Sequence, residues 1–204
     1  MALQVNAVQD VAEAVLGCVC AALQDAAQQV DGQPGCPCRS CLVPGSLVAW
    51  DSCDDPCNTT PAGSAGGQLS VNVARLFPST EFPTADRTLS PTLARGKLTC
   101  AAPAAMAVEL VVTLLRCAPT FDEGGCPPPC DALGEAARIL HTDMVVVRNA
   151  LECCLPTAGE QRRRGRVVFV GESRTIGPEG MCVGLEQRVT VALPGCGCPE
   201  ETSA

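Results

Sequence analysis

Five cysteines, Cys36, Cys38, Cys41, Cys53 and Cys57, crowd one short stretch of the chain, and they are the residues with the most obvious chemical potential. Zinc takes four thiolate or imidazole ligands in a tetrahedron, usually as two close pairs that a fold brings together. The spacing here is irregular: Cys-Pro-Cys, then a two-residue gap, and later a three-residue gap between Cys53 and Cys57. That irregularity favours disulfides or free thiols over metal, so no metal ligand is assigned. Pairing across loops is the preferred outcome once the protein is outside a cell.

The other reactive candidates are isolated. Adjacent Cys153 and Cys154 cannot readily bridge each other, so each packs as a small hydrophobe or finds a distant partner. Cys126 and Cys130 flank Pro127-Pro128-Pro129 and could close a small loop. A cysteine nucleophile needs a base, and His141, the one histidine, sits beside Leu140 on an amphipathic pattern. Asp143 and Glu135 share that pattern without making a triad. Gly63-Ser-Ala-Gly-Gly67 lacks the lysine that phosphate-cradling loops require. The run from Arg162 to Arg166 reads as a solvated turn; a sharper reading sets it at a subunit contact with Asp54 and Asp55. No catalytic, cofactor-binding or metal residue emerges, and the sequence points away from an enzyme.

The elements that must position these residues follow from periodicity. Val5, Val8, Ala12, Val15, Val19, Ala22 and Ala26 recur at spacings of three and four, which predicts a helix from Gln4 to Gln29 with one buried face. Asp31-Gly32 and Pro34-Gly35 end it. Residues 31–67 then dissolve into Gly, Pro, Ser, Asp and Cys, an inserted Cys-rich loop in which Leu42-Val43 and Leu47-Val48-Ala49-Trp50 could pair as minor strands. Gln68 to Phe77 alternates as a half-buried strand, with Leu69, Val71 and Val73 on one face. A second loop runs to about Pro103.

Ala105 to Leu115 reads as the principal strand. Met106, Val108, Leu110, Val112 and Leu114 face one way, and the other face is also largely apolar, so the strand is central or covered by another subunit. Leu133, Ala137, Leu140, Met144, Val147 and Leu151 mark a second helix, with Asp131 as N-cap. Val167 to Val170 and Leu185 to Leu193 are the last strands, joined by Gly177-Pro178-Glu179-Gly180. Residues 195–204 form a short acidic tail carrying Cys196 and Cys198.

The length of 204 residues bounds one domain, spanning residues 1–204. Hydrophobic content of 47% supports a core, but four Phe, one Trp and no Tyr leave aliphatic packing to carry it. The same scarcity argues against stacking single-stranded nucleic acid. A net charge of −8 disfavours general affinity for phosphate backbones. No uninterrupted apolar run of about 18 residues appears, which argues against a membrane span. The N-terminus lacks the basic region of a signal peptide, so synthesis and retention in the cytosol are expected. Sixteen cysteines leave three readings open: buried thiols, a metal site, or bridges that form after release from the cell.

The predicted fold class is α+β: a mixed or antiparallel sheet with two packed helices and long Cys-rich loops. The order of helix, strand, long central strand, helix and hairpin resembles the tail terminator family of long-tailed, siphovirus-type bacteriophages. Three stretches resemble its versions in phages of high-GC actinobacteria: Val43-Pro-Gly-Ser-Leu-Val-Ala-Trp-Asp-Ser-Cys53, Gly67-Gln-Leu-Ser-Val-Asn-Val-Ala-Arg-Leu-Phe-Pro-Ser-Thr-Glu-Phe-Pro83, and Gly177-Pro-Glu-Gly-Met-Cys-Val-Gly-Leu-Glu-Gln-Arg-Val-Thr-Val191. The Ala- and Arg-rich, Lys-poor composition fits such a source.

The resemblance implies a structural virion protein of the tail and neck, assembled in the host cytoplasm. It would form a homohexameric ring that caps the major tail tube protein and docks the head-tail connector or stopper. DNA would pass through the lumen without specific binding, and neither membrane nor cofactor would be involved. The Cys-rich insertion and the loop from Thr84 to Ala102 make the chain larger than minimal members. Alternatives are a head-side stopper or adaptor ring, or a small zinc-binding module acting through the loop from Cys36 to Cys57.

Overall fold

A computed structural model describes residues 6–45, 65–86, 105–158, 166–179 and 182–193. Helix α1 (Ala7–Gln29) comes first, followed by β1 (Pro37–Val43), β2 (Ala65–Pro78) and β3 (Met106–Cys117). Helix α2 (Cys130–Asn149) runs on through a π-helical turn (Ala150–Cys154) and a short 3-10 turn (Leu155–Thr157). Strands β4 (Val168–Glu179) and β5 (Cys182–Leu193) complete the chain. The strands form one sheet in the order β1-β2-β3-β5-β4, with β1 parallel to β2 and every other pair antiparallel. The class is α+β with a mixed sheet.

Both helices pack on one face. Val11, Val15, Val19 and Leu23 of α1 and Leu140, Val147 and Leu151 of the second helical run meet Leu69, Val71, Val108, Leu110, Val112, Leu114, Leu185, Val189 and Val191. These strand residues are the alternating set that faces the helices, as the period of two requires. Aliphatic side chains supply this core, each worth about 1.5–3 kcal/mol when fully buried. By length and mean hydropathy alone α1 could cross a membrane. Core helices pass the same test, and the apolar stripe of α1 is spent on the sheet.

Four expectations need correction. Residues 37–41 and 65–67, expected as loop, belong to β1 and β2, while Leu42-Val43, expected as a possible minor strand, close β1. Strand β1 has no alternating apolar pattern; parallel backbone bonding to β2 makes it a strand, which composition does not reveal. The β2 face opposite the helices is not solvated, because Gln68, Ser70 and Asn72 are buried between neighbouring strands. Pro129, not Asp131, is the N-cap of α2; Asp131 lies in the first turn, where a carboxylate favours the helix dipole. Leu133, expected in the core stripe, is 47% exposed, and the buried part of α2 begins at Leu140.

Strand β3 is central, and Ala107 to Arg116 are all buried within the single chain. Its two apolar faces therefore require no second subunit to cover them. Strand β4 extends well past Val170, through a bulge between Val170 and Ser173. Gln187, fully buried on β5, stabilises that bulge: its amide donates to the carbonyls of Gly171 at 2.9 Å and Glu172 at 3.3 Å.

Candidate functional site

Of the five cysteines in the predicted cluster, Cys36, Cys38 and Cys41 fall within the described residues. Cys36 is bonded to Cys20 of α1, with Cα atoms 5.0 Å apart, which removes it from any ligand set. Cys38 and Cys41 are free thiols on β1, one exposed and one half-buried. Cys53 and Cys57 lie outside the described residues, as do Arg162 to Arg164, Asp54, Asp55, Leu47 to Trp50 and the tail at 195–204. Among the described residues no group of three or more His, Cys, Asp or Glu is arranged to hold a metal ion.

Of the two outcomes expected for Cys154, packing as a small hydrophobe or finding a distant partner, the second holds: it bridges to Cys18 with Cα atoms 5.8 Å apart. Its neighbour Cys153 is an exposed thiol. Among the described residues these two bridges both start on α1, one reaching the end of the second helical run and the other the connection before β1. Cys126 and Cys130, expected to close a small loop, are exposed and free. Cys182 at the start of β5 is also disulfide-bonded.

His141 is exposed on α2. Asp143 points into the core, and Glu135 pairs with Arg138 at 2.7 Å on the surface. The hydrogen bond from Arg138 lowers the pKa of Glu135. These carboxylates are engaged elsewhere and do not orient the histidine. Arg166, the last residue of the basic run, departs from the expected solvated turn. Burial pushes its pKa down, with Asp10 pulling the other way, and its Nη1 is buried without a partner.

Two polar constellations were not anticipated. The first is buried between β3, α2 and the segment after α1. Arg116 Nε donates to Asp143 Oδ2 at 2.9 Å and Nη2 to Oδ1 at 3.1 Å, a fork on a carboxylate. Arg116 Nη1 donates to the Gly35 carbonyl at 2.9 Å, and Nη2 also donates to the Pro34 carbonyl at 3.4 Å. Gln33 Nε2 donates to Asp143 Oδ1 at 2.8 Å, while Gln33 Oε1 is buried without a partner. The sequence carried a signal. Arg116 continues the inward set of Val108, Leu110, Val112 and Leu114, and Asp143 sits between Leu140 and Val147 on the core stripe. A cation and an anion at buried positions of separate elements must pair.

The second constellation crosses the opposite sheet face. Arg75 on β2 and Arg188 on β5 converge on Glu109 of β3 at 2.6 and 2.7 Å, and Arg188 also meets Glu186, which Arg174 of β4 holds at 2.8 Å. Arg75 additionally lies over the Phe77 ring, 4.6 Å from its centroid. Burial raises the pKa of Glu109, but the hydrogen bonds from Arg75 and Arg188 more than offset this, so the net shift is downward. The row is a cross-strand brace of alternating sign, and its carboxylates are all held by arginine. Neither constellation places a nucleophile, a base and an open position together. In comparisons with known proteins, no family model matches the chain and no curated protein matches it.

Proposed function

We propose that the chain is a structural subunit of a phage tail, assembling as a sixfold ring that caps the tail tube and offers the docking surface for the head connector. The observation that carries this reading is the element order, a helix, strands, a second helix and a closing hairpin around a mixed sheet, which agrees with the fold that the resemblance implies. The two side-chain constellations brace the fold of the single subunit. Disulfides at Cys18–Cys154 and Cys20–Cys36 suit a particle that persists outside a reducing cell.

Termination would be geometric: one ring face matches the tube end, and the other does not repeat the tube's growing edge. Strand β3 is buried within one chain, so the ring contact is sought elsewhere. Bonding of Cys36 to Cys20 removes the zinc-module alternative's first ligand. Deletion of the gene from its phage tests the reading directly. Tails of uncontrolled length without heads are expected, and normal-length tails joined to heads would refute it.

A further inference from the structure

We propose that the buried Arg116–Asp143–Gln33 cluster is a template that selects Cys36, from three closely spaced cysteines, as the disulfide partner of Cys20. Every residue between Gln33 and Gly35 is held by this cluster: Gln33 through its own amide, Pro34 and Gly35 through carbonyls that accept from Arg116. Gly35 also lies against α1, where an added Cβ would meet Gln24 Oε1 at 2.5 Å and Ala27 Cβ at 3.6 Å. Gln24 and Ala27 follow Cys20 by four and seven residues and share its helix face. The chain therefore leaves the clamp with residue 36 directly beside Cys20, at a Cα separation suited to a bridge.

Cys38 and Cys41 compete for the same partner on paper. Closure entropy grows only with the logarithm of loop length, so length alone separates the three pairings by less than about twofold. Position must decide, and β1 carries Cys38 and Cys41 away as free thiols, the first exposed and the second half-buried. Cys20 and Cys36 are both part-exposed, so a small disulfide can reach them. The Cys36 thiolate attacks one sulfur of oxidised glutathione, whose S–S bond breaks and releases a glutathione thiolate. The Cys20 thiolate then attacks Cys36 Sγ in the mixed disulfide and expels the second glutathione. Two protein thiols are oxidised, one small disulfide is reduced, and the two protons pass to the departing thiolates. Arg116, Asp143 and Gln33 are positioning residues in this step, since none touches the reacting sulfurs.

Two variants test the template, using full-length protein that is reduced and then reoxidised in a glutathione buffer, with bridges assigned by peptide mapping. In Cys36→Ser the clamp is intact, so Cys20 is expected to remain a thiol; a Cys20–Cys38 or Cys20–Cys41 bridge forming as fast as the native one overturns the proposal. Arg116→Lys keeps a charge opposite Asp143 but loses the guanidinium bonds to the Pro34 and Gly35 carbonyls. It is expected to spread Cys20 over Cys36, Cys38 and Cys41, lowering the Cys20–Cys36 share severalfold. Closure of Cys18–Cys154, which the clamp does not touch, serves as the internal control and should keep its wild-type rate. Retention of pure Cys20–Cys36 pairing, or equal slowing of both bridges, would show a merely structural cluster. If Arg116→Lys fails to fold, Cys36→Ser decides the question by itself.

Discussion

Asp143 and Arg116 have side-chain exposures of 0% and 6%, so each depends on the other for the solvation it lost on folding. Removing one partner strands a buried charge, which costs about 3–5 kcal/mol, whereas replacing both with apolar groups of similar size can be nearly neutral. Asp143→Ala is therefore expected to lower unfolding free energy in urea by about that amount, and Arg116→Met combined with Asp143→Leu to recover most of it. Failure of the double variant to recover would mean that the contacts to Pro34 and Gly35 carry the stability. Glu109 makes a separate prediction through pH. Its folded pKa lies below the unfolded one despite burial, because Arg75 and Arg188 bond the charged form. The stability it contributes is present above the ordinary carboxylate range and is lost as pH falls through the lower folded value. Urea midpoints from neutral pH down into that acidic window should fall for the wild type and fall less for Glu109→Gln. Arg116 lies one residue past the expected end of the strand, and only the extension of β3 to Cys117 puts it in parity with the buried set. Its partner was not legible, because pairing depends on how α2 crosses the sheet and not on spacing within either element.

Elements whose shape follows from apolar period were readable, and those held by backbone or covalent bonds were not. Helix α1 and strand β3 carry unbroken stripes, and both appear close to their expected bounds. Strand β1 has the sequence Pro-Cys-Arg-Ser-Cys-Leu-Val, and only its pairing with β2 and the nearby bridge to α1 fix it. The second half of β4 is polar and stays in register through a bulge that Gln187 stabilises from the next strand. Connectivity of the bridges was hidden for the same reason, since it reflects which elements meet. The two links should differ in weight, because Cys18 and Cys154 are 136 residues apart and Cys20 and Cys36 only 16. On chain-entropy grounds the short link is worth about 3 kcal/mol and the long one more than about 4. Thermal unfolding should therefore fall further for Cys18→Ala than for Cys20→Ala. Cys18 is also buried, so part of its loss will be packing. Gly67 gives an independent element-level test. Its φ of +108° and the Leu115 carbonyl against it leave no room for a Cβ. Gly67→Ala should cost at least about 1–2 kcal/mol in left-handed strain alone, read as a lowered denaturation midpoint; an unchanged midpoint would mean that β2 can shift away from β3.

At the scale of the whole molecule, the proposed ring needs a surface other than β3 to join copies. The sheet topology restricts the choice. Strand β1 is parallel to β2, β3 runs against both β2 and β5, and β4 runs against β5, so the two outer strands of the described sheet, β1 and β4, run in opposite directions. Copies related by simple rotation about a ring axis would bring β4 of one beside β1 of the next in antiparallel sense, the pairing that sheets extend most readily. Such a contact is head-to-tail and closes only if the rotation divides a full turn. Val167 and Phe169, at 60% and 48% exposure, lie at the start of β4, where such a join would cover them. Light scattering of the purified protein is expected to give six times the subunit mass of 21.0 kDa, with and without reductant. Phe169→Glu sets a desolvated charge into that contact while altering a half-exposed position. Its urea midpoint should move little, and its mass should fall toward the single subunit. A wild type that stays at one subunit across the concentration range would remove the ring, and with it the proposed role at the tail end. A Phe169→Glu protein that still assembles fully would keep the ring but shift the joint away from β4.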